Sequence, residues 1–238
     1  MTVYLLLALA AFFAAAISGA AGFGGALLLL PMLTHTVGVT EAVPLLTVAQ
    51  LVGNLARAGF AFTEIRWRPV GMFLVTAIPF AALGATSFVA LPKPMIVRLV
   101  GAAILLFVLV KSLGLIRMRA GGGVLLVGGA AVGFLSGLVG SAGPLGAAVF
   151  LSLNLPPVAY VASEAVTAIA MHGVKMAIYG SRLAFSPSFW PLALLLGGAM
   201  VLGTWAGKLL IERMPVIWFR RIVTGLLVVI AAQMVVTG

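Results

Sequence analysis

SGAAGFGG, residues 18–25, breaks an apolar N-terminal run with a cluster of small residues, and SGLVGSAG, residues 136–143, does the same in the second half of the chain. Set against itself at an offset of 118, the sequence places Ser18 on Ser136, Gly19 on Gly137, Gly22 on Gly140, Gly25 on Gly143, Asn54 on His172, Arg57 on Lys175 and Pro69 on Pro187. The offset then drifts, pairing Gly84 with Gly203 and Gly101 with Gly225, as short loop insertions produce. Small residues recur easily in apolar helices, so the weight rests on the polar pair that follows at a fixed distance. The chain reads as two copies of one unit, residues 1–118 and 119–238.

Composition sets the solvent of that unit. Of 238 residues, 63% are hydrophobic and 8% charged, far from the half-apolar, quarter-charged balance of soluble domains. Apolar runs at 41–62, 69–91, 95–115, 158–181, 187–210 and 216–237 are each long enough, at roughly 1.5 Å per residue, to cross a hydrocarbon core of about 30 Å. They lack the strict alternation of a barrel strand, so the expected class is an all-α polytopic membrane protein with six full spans. The net charge of +10 would suggest nucleic acid in a soluble domain, but the Lys and Arg sit mostly between spans, where anionic lipid and the positive-inside rule account for them. Cysteine is absent, which removes disulfides and thiolate chemistry. The first basic residue is Arg57, so residues 1–22 lack the charged start of a signal peptide.

Basic residues also orient the copies. If each half holds three spans and one glycine-broken segment that enters and leaves on one face, the halves are inverted. Ten Lys and Arg then lie on the cytoplasmic side and four, Lys93, Arg98, Lys175 and Arg182, outside. Parallel copies would give eight against six, so the charge rule favours inversion, with both termini outside. The broken segments, 3–36 and 123–154, are expected to be re-entrant hairpins, since arms at 3–17, 26–36, 123–135 and 144–154 reach mid-membrane without crossing.

A hairpin tip at that depth exposes backbone groups that only protein or a wet cavity can satisfy. Helix starts near Gly25 and Gly143 would present N–H groups and positive dipole ends, and glycine lets a ligand come close. An anion site is the natural use, with Ser18, Gly19, Gly22, Gly24 and Gly25 from one copy and Ser136, Gly137, Gly140, Ser141 and Gly143 from the other. Tight helix packing is the competing use of the same residues. On the following helices, Gln50, Asn54 and Arg57 share one face, as do Glu164, His172 and Lys175. Asn54 and His172 are therefore placed by the site, and Arg57 and Lys175 as cations drawing anions in from opposite mouths. Snorkelling would equally account for the two cations, and an interhelical hydrogen bond for Asn54. Glu164 is the one acid inside an expected span, so Glu164 and His172 are the candidates if protons are coupled.

The run ISGAAGFGGALLLLPML with GNLARAGF after it, and its counterpart LSGLVGSAGPLGAAVFLSLNLPPVAYVASEA, resemble the TauE/SafE family of sulfite exporters over nearly the whole chain. The likeness includes Pro31, after the start of the first copy's outgoing helix. It implies transport of small sulfur oxoanions or organosulfonates, such as sulfite or sulfoacetate, across the bacterial inner membrane, often outward. The second copy departs from the first, with Ser141 at the position of Phe23 and Ala142 at that of Gly24, so the half-sites are not equivalent. A related thiosulfate-uptake group uses cysteines, which this chain lacks.

The leading function is thus a secondary transporter alternating two repeats around a midplane anion site. An anion channel, or a permease for a carboxylate, is the near alternative. An enzyme is disfavoured: no HExxH, carboxylate pair or cysteine nucleophile is present, and the two histidines, His35 and His172, are far apart. No cofactor or metal is expected, and no P-loop is present. A purely structural role would leave the inward polar residues unexplained. Spare glycine and alanine faces suit a homodimer in lipid.

Overall fold

The computed structural model describes residues 2–21, 25–90, 92, 121–140, 142–212, 215 and 217–218. The spans expected at 95–115 and, apart from Ile217 and Trp218, at 216–237 lie outside the described residues. The elements are α1 (Thr2–Ala21), α2 (Gly25–Val37), α3 (Val39–Phe60), α4 (Trp67–Ala90), α5 (Gly122–Val139), α6 (Gly143–Leu151), α7 (Pro157–Arg182) and α8 (Phe189–Glu212), with one 3-10 turn at Phe62–Glu64. No strand occurs among the described residues. Helices satisfy their own backbone, which is what a chain in hydrocarbon requires.

Three stretches among the described residues are long and apolar enough to cross a membrane: Trp67–Ala90, Pro157–Arg182 and Phe189–Leu210. The 22-residue α3 has the length, but Gln50, Asn54 and Arg57 lower its hydropathy. Leu194 is 77% exposed and Val127 72%, with Val75 and Leu5 also on the outer surface. A chain that turns its aliphatic side chains outward while burying Arg57, Glu164 and Lys175 is partitioned for lipid, and the protein is a membrane protein. Trp67 and Trp190 stand exposed at the starts of α4 and α8, where amphipathic rings anchor a span at the interface.

Each core borrows a helix from the other half. Leu7, Ala11 and Ala15 of α1, Leu29 and Leu33 of α2, and Leu45 and Ala49 of α3 pack on Phe189, Leu196 and Met200 of α8. Phe73, Ala77 and Ala81 of α4 pack on Val132 of α5, Phe150 of α6 and Tyr160 of α7. The closest approaches are made by glycine. A Cβ at Gly84 would overlap Phe134 O and lie 3.0 Å from the Gly137 Cα, and one at Gly203 would overlap Phe12 O and lie 3.0 Å from the Ala15 Cβ. Gly84 and Gly203, matched by the repeat, thus hold the α4–α5 and α1–α8 contacts in the same way.

The centre is the crossing of α3 and α7, which run in opposite directions. Phe60 near the end of α3 lines a cavity with Val158 near the start of α7, while Glu41 near the start of α3 accepts bonds from Ser186 N (2.8 Å) and Oγ (2.9 Å), just past the end of α7. Chain reversals into these helices use left-handed residues: Gly38 at φ 77° before α3 and Asn154 at φ 55° before α7.

The broken segments differ from expectation in their bounds. α1 and α5 continue to Ala21 and Val139, past the 17 and 135 expected, so Ser18, Gly19, Ser136 and Gly137 lie in final helical turns and not in tips. The carbonyls of Ser18 and Ser136 are engaged by buried cations, which favours keeping those turns wound. α6 stops at Leu151, short of 154, in a turn closed by Leu153 N to Phe150 O and Asn154 N to Leu151 O.

Gly84→Val and Gly203→Val are expected to destabilise the protein by about 3 kcal/mol or more through overpacking. Gly198→Ala, at a position with open space around it, is expected to be neutral or slightly stabilising. Thermal unfolding in detergent, followed by size-exclusion chromatography, distinguishes the two classes.

Candidate functional site

Two cations reach back to two helix ends at the same spacing. Arg57 Nη1 donates to Ser18 O (3.2 Å), and Lys175 Nζ donates to Ser136 O (3.3 Å), each across 39 residues. Positive charge at a helix C-terminus offsets the macrodipole and satisfies orphan carbonyls. Arg57 is 8% exposed and Lys175 0%, so neither snorkels to the surface.

Beyond that shared contact the two differ. Lys175 Nζ also donates to Ser136 Oγ (3.0 Å) and Gly140 O (2.7 Å), which occupies its three protons on the end of α5. Gly140 caps that helix at φ 88°, left-handed, where a side chain would be strained and its Cβ would lie 3.0 Å from Val43 Cγ1. Tyr179 OH donates to Gly137 O (2.7 Å) in the same region. Arg57 instead turns to other side chains: Nη2 donates to Asn54 Oδ1, and Nη1 lies 3.4 Å from Glu164 Oε2 across the α3–α7 crossing.

Around this ion pair lies a partly open cavity, whose unfilled space of about 380 Å³ includes solvent at its mouth. It is lined by Ser18 of α1, Gln50, Asn54 and Arg57 of α3, Val132 and Ser136 of α5, Ala142 and Gly143 at the start of α6, and Glu164, Ala168, Met171 and His172 of α7. Both halves contribute, and the start of α6 faces it. Gln50 Nε2, His172 Nδ1 and Glu164 Oε2 are buried without a hydrogen-bond partner; each belongs to a lining residue, and buried polar atoms of this kind mark a place for a polar occupant. Two further cavities border Arg57. One, about 250 Å³, is lined by Ser18, Gln50, Asn54, Met200 and Thr204; the other, about 280 Å³, extends past Gly19, Phe60, Ala61 and Val158 to Lys208. Lys208 Nζ stands 5.6 Å from the Phe60 ring centre. Arg57 therefore borders a chain of cavities from the α3–α7 crossing towards the C-terminal end of α3.

Of the residues expected at the site, Ser18, Asn54, Arg57, Ser136, Gly143 and His172 meet in the main cavity, joined by Glu164. Gly19 lines the neighbouring one. Gly137 and Gly140 serve packing and the α5 end, Lys175 lies outside the cavity lining, and Gly25 opens α2. Gly22, Gly24 and Ser141 fall outside the described residues. Gln50 belongs with the site and was legible as the first member of the Gln50–Asn54–Arg57 stripe. The apolar liners Val132, Ala168 and Met171 carried no signal that separates them from core. No group of three or more metal-binding side chains occurs among the described residues.

A family model described as Sulfite exporter TauE/SafE matches residues 7–234. No curated protein and no solved structure matches the chain.

Lys175→Met is expected to cost about 2–4 kcal/mol of stability, because it leaves Ser136 O and Gly140 O buried without their donor. Thermal unfolding of the purified variant checks this; an unchanged midpoint would mean that the lysine does not hold the end of α5.

Proposed function

This chain belongs to the sulfite exporter TauE/SafE family, a family of transporters, and we propose that it is a secondary transporter of small sulfur oxoanions, sulfite or an organosulfonate, that moves its substrate through the cavity at the α3–α7 crossing. The observation that carries this reading is the convergence of Arg57, Gln50, His172 and two serines on one buried cavity that also receives the start of α6. An oxyanion needs several donors and a positive field, and burial away from water strengthens both. Ser136 fits the role closely: its Oγ accepts from Lys175 (3.0 Å), so its own proton remains to donate to an anion, polarised by the ammonium behind it. Lys175 then acts on the substrate through that hydroxyl.

The two halves, 1–118 and 119–238, act as inverted repeats in this proposal, and the glycine-broken segments 3–36 and 123–154 as re-entrant hairpins. Support comes from the opposite directions of α3 and α7 and from the matched Arg57–Ser18 and Lys175–Ser136 bonds. Alternating access follows if each core, with its borrowed helix, moves as a body about the crossing. The cavities leading from Arg57 towards Lys208 would then be the cytoplasmic path. The protein would lie in the bacterial inner membrane with both termini outside, exporting its anion, and its outer glycine and alanine faces would suit a homodimer.

Uptake of radiolabelled sulfite into proteoliposomes tests the proposal. Saturable uptake, competed by sulfoacetate or another sulfonate, is expected. Arg57→Ala and Gln50→Ala are expected to reduce uptake about tenfold or more, as loss of a hydrogen bond to a charged ligand does. Transport at the wild-type rate in both variants, or no flux above empty liposomes, would refute the assignment.

A further inference from the structure

The cavity holds a cation that is already neutralised. Arg57 is the one cation lining it among the described residues, and Glu164, the one acid lining it, stands 3.4 Å away with both side chains nearly out of solvent. An incoming anion therefore meets no net positive charge at the place where the transporter reading, on which this inference rests, requires attraction. Glu164 Oε2 accepts no hydrogen bond and faces Arg57 through the ion pair. Oε1 lies by Gly146 of α6, whose missing side chain leaves a methyl-sized space beside it, 3.6 Å from an added Cβ. At the 118-residue offset Glu164 falls on Leu46, fully buried, so the first repeat supplies no second carboxylate.

We infer that Glu164 is a tethered counter-anion: it occupies Arg57 when no substrate is bound, the sulfur oxoanion displaces it, and the displaced carboxylate takes up one proton from solvent. A second negative charge in this space would otherwise stand unpaired, and buried charges persist only when paired or neutralised. For a singly charged anion, bisulfite or an organosulfonate, one negative charge and one proton enter together, so the cavity's charge is unchanged. The other polar and titratable groups around Glu164 are Arg57, Asn54 and Gln50 of α3, Tyr160, His172 and Lys175 of its own helix, and the hydroxyls of Ser18 and Ser136. Lys175 is held by the end of α5. Arg66 and Arg68, at the start of α4, are exposed.

The test is calorimetric titration of sulfite into the full-length protein in detergent, in buffers of differing ionisation enthalpy, for the wild type and Glu164→Gln. The wild type is expected to take up about one more proton per bound sulfite than the variant, a difference in which the titration of sulfite itself cancels. Glu164→Gln, with no carboxylate to displace, is expected to bind sulfite about tenfold tighter. The sign follows: binding that takes up a proton weakens as pH rises, more steeply in the wild type. Should the variant fail to fold, Gly146→Val fills the space beside Oε1 and is expected to weaken sulfite about tenfold by keeping Glu164 on Arg57; unchanged affinity there overturns the inference. Equal proton counts, or weaker binding by Glu164→Gln, also overturn it. A wild type and variants that all fail to bind sulfite defeat the anion-site reading itself, and the inference falls with it.

Discussion

A guanidinium in the interior of a membrane protein must have its charge and its protons answered on every side, and Arg57 meets that demand by joining three helices. Its bonds to Ser18 O and Asn54 and its ion pair with Glu164 tie α1, α3 and α7 at one point. The first half of the chain thereby touches the second through a charge contact and not only through packing. Losing one partner of such a pair leaves an uncompensated buried charge, so the contact fixes the α3–α7 crossing. The cavity exists because polar side chains at that crossing cannot close against one another as aliphatic ones do.

The same constraint was answered differently in the second copy. Lys175 keeps the bond to the end of α5 but directs its remaining protons there too, and Tyr179 donates to Gly137 O in the same region, while Leu46 stands where the ion pair has Glu164. One repeat therefore presents a cation to the cavity, and the other presents a hydroxyl backed by a cation. In the proposed transporter, such asymmetry would let a single site between the two halves hold a small anion in one orientation.

Much of the architecture was legible in the sequence because its signals were of charge and period. Helical segments followed from hydropathy, and four of them fall within two residues of observed helices, 39–60, 67–90, 157–182 and 189–212, of which the last three contain stretches long and apolar enough to cross a membrane. Asn54, Arg57 and His172 were legible because polar groups are rare at such depth. The role of Lys175 was not, since spacing cannot tell a lysine that faces a ligand from one that turns back onto a helix end. Nor could it show that Ser18 and Ser136 lie inside helices, because small residues serve a tip and a close-packed last turn equally well. The Arg57–Glu164 pair spans 107 positions, and no local pattern brings it together. The exchange of α4 and α8 between cores was equally hidden, although Gly84 and Gly203 carried it.

The central claim is that the sulfur oxoanion sits in the cavity at the α3–α7 crossing, against Arg57. Selenite, the selenium counterpart of sulfite, can be located directly by anomalous scattering in crystals of the full-length protein. One peak is expected within hydrogen-bonding distance of the Arg57 guanidinium, among Gln50, Ser136 and His172. Peaks confined to exposed cations such as Arg66 and Arg68, with the cavity empty at saturating selenite, would contradict the claim.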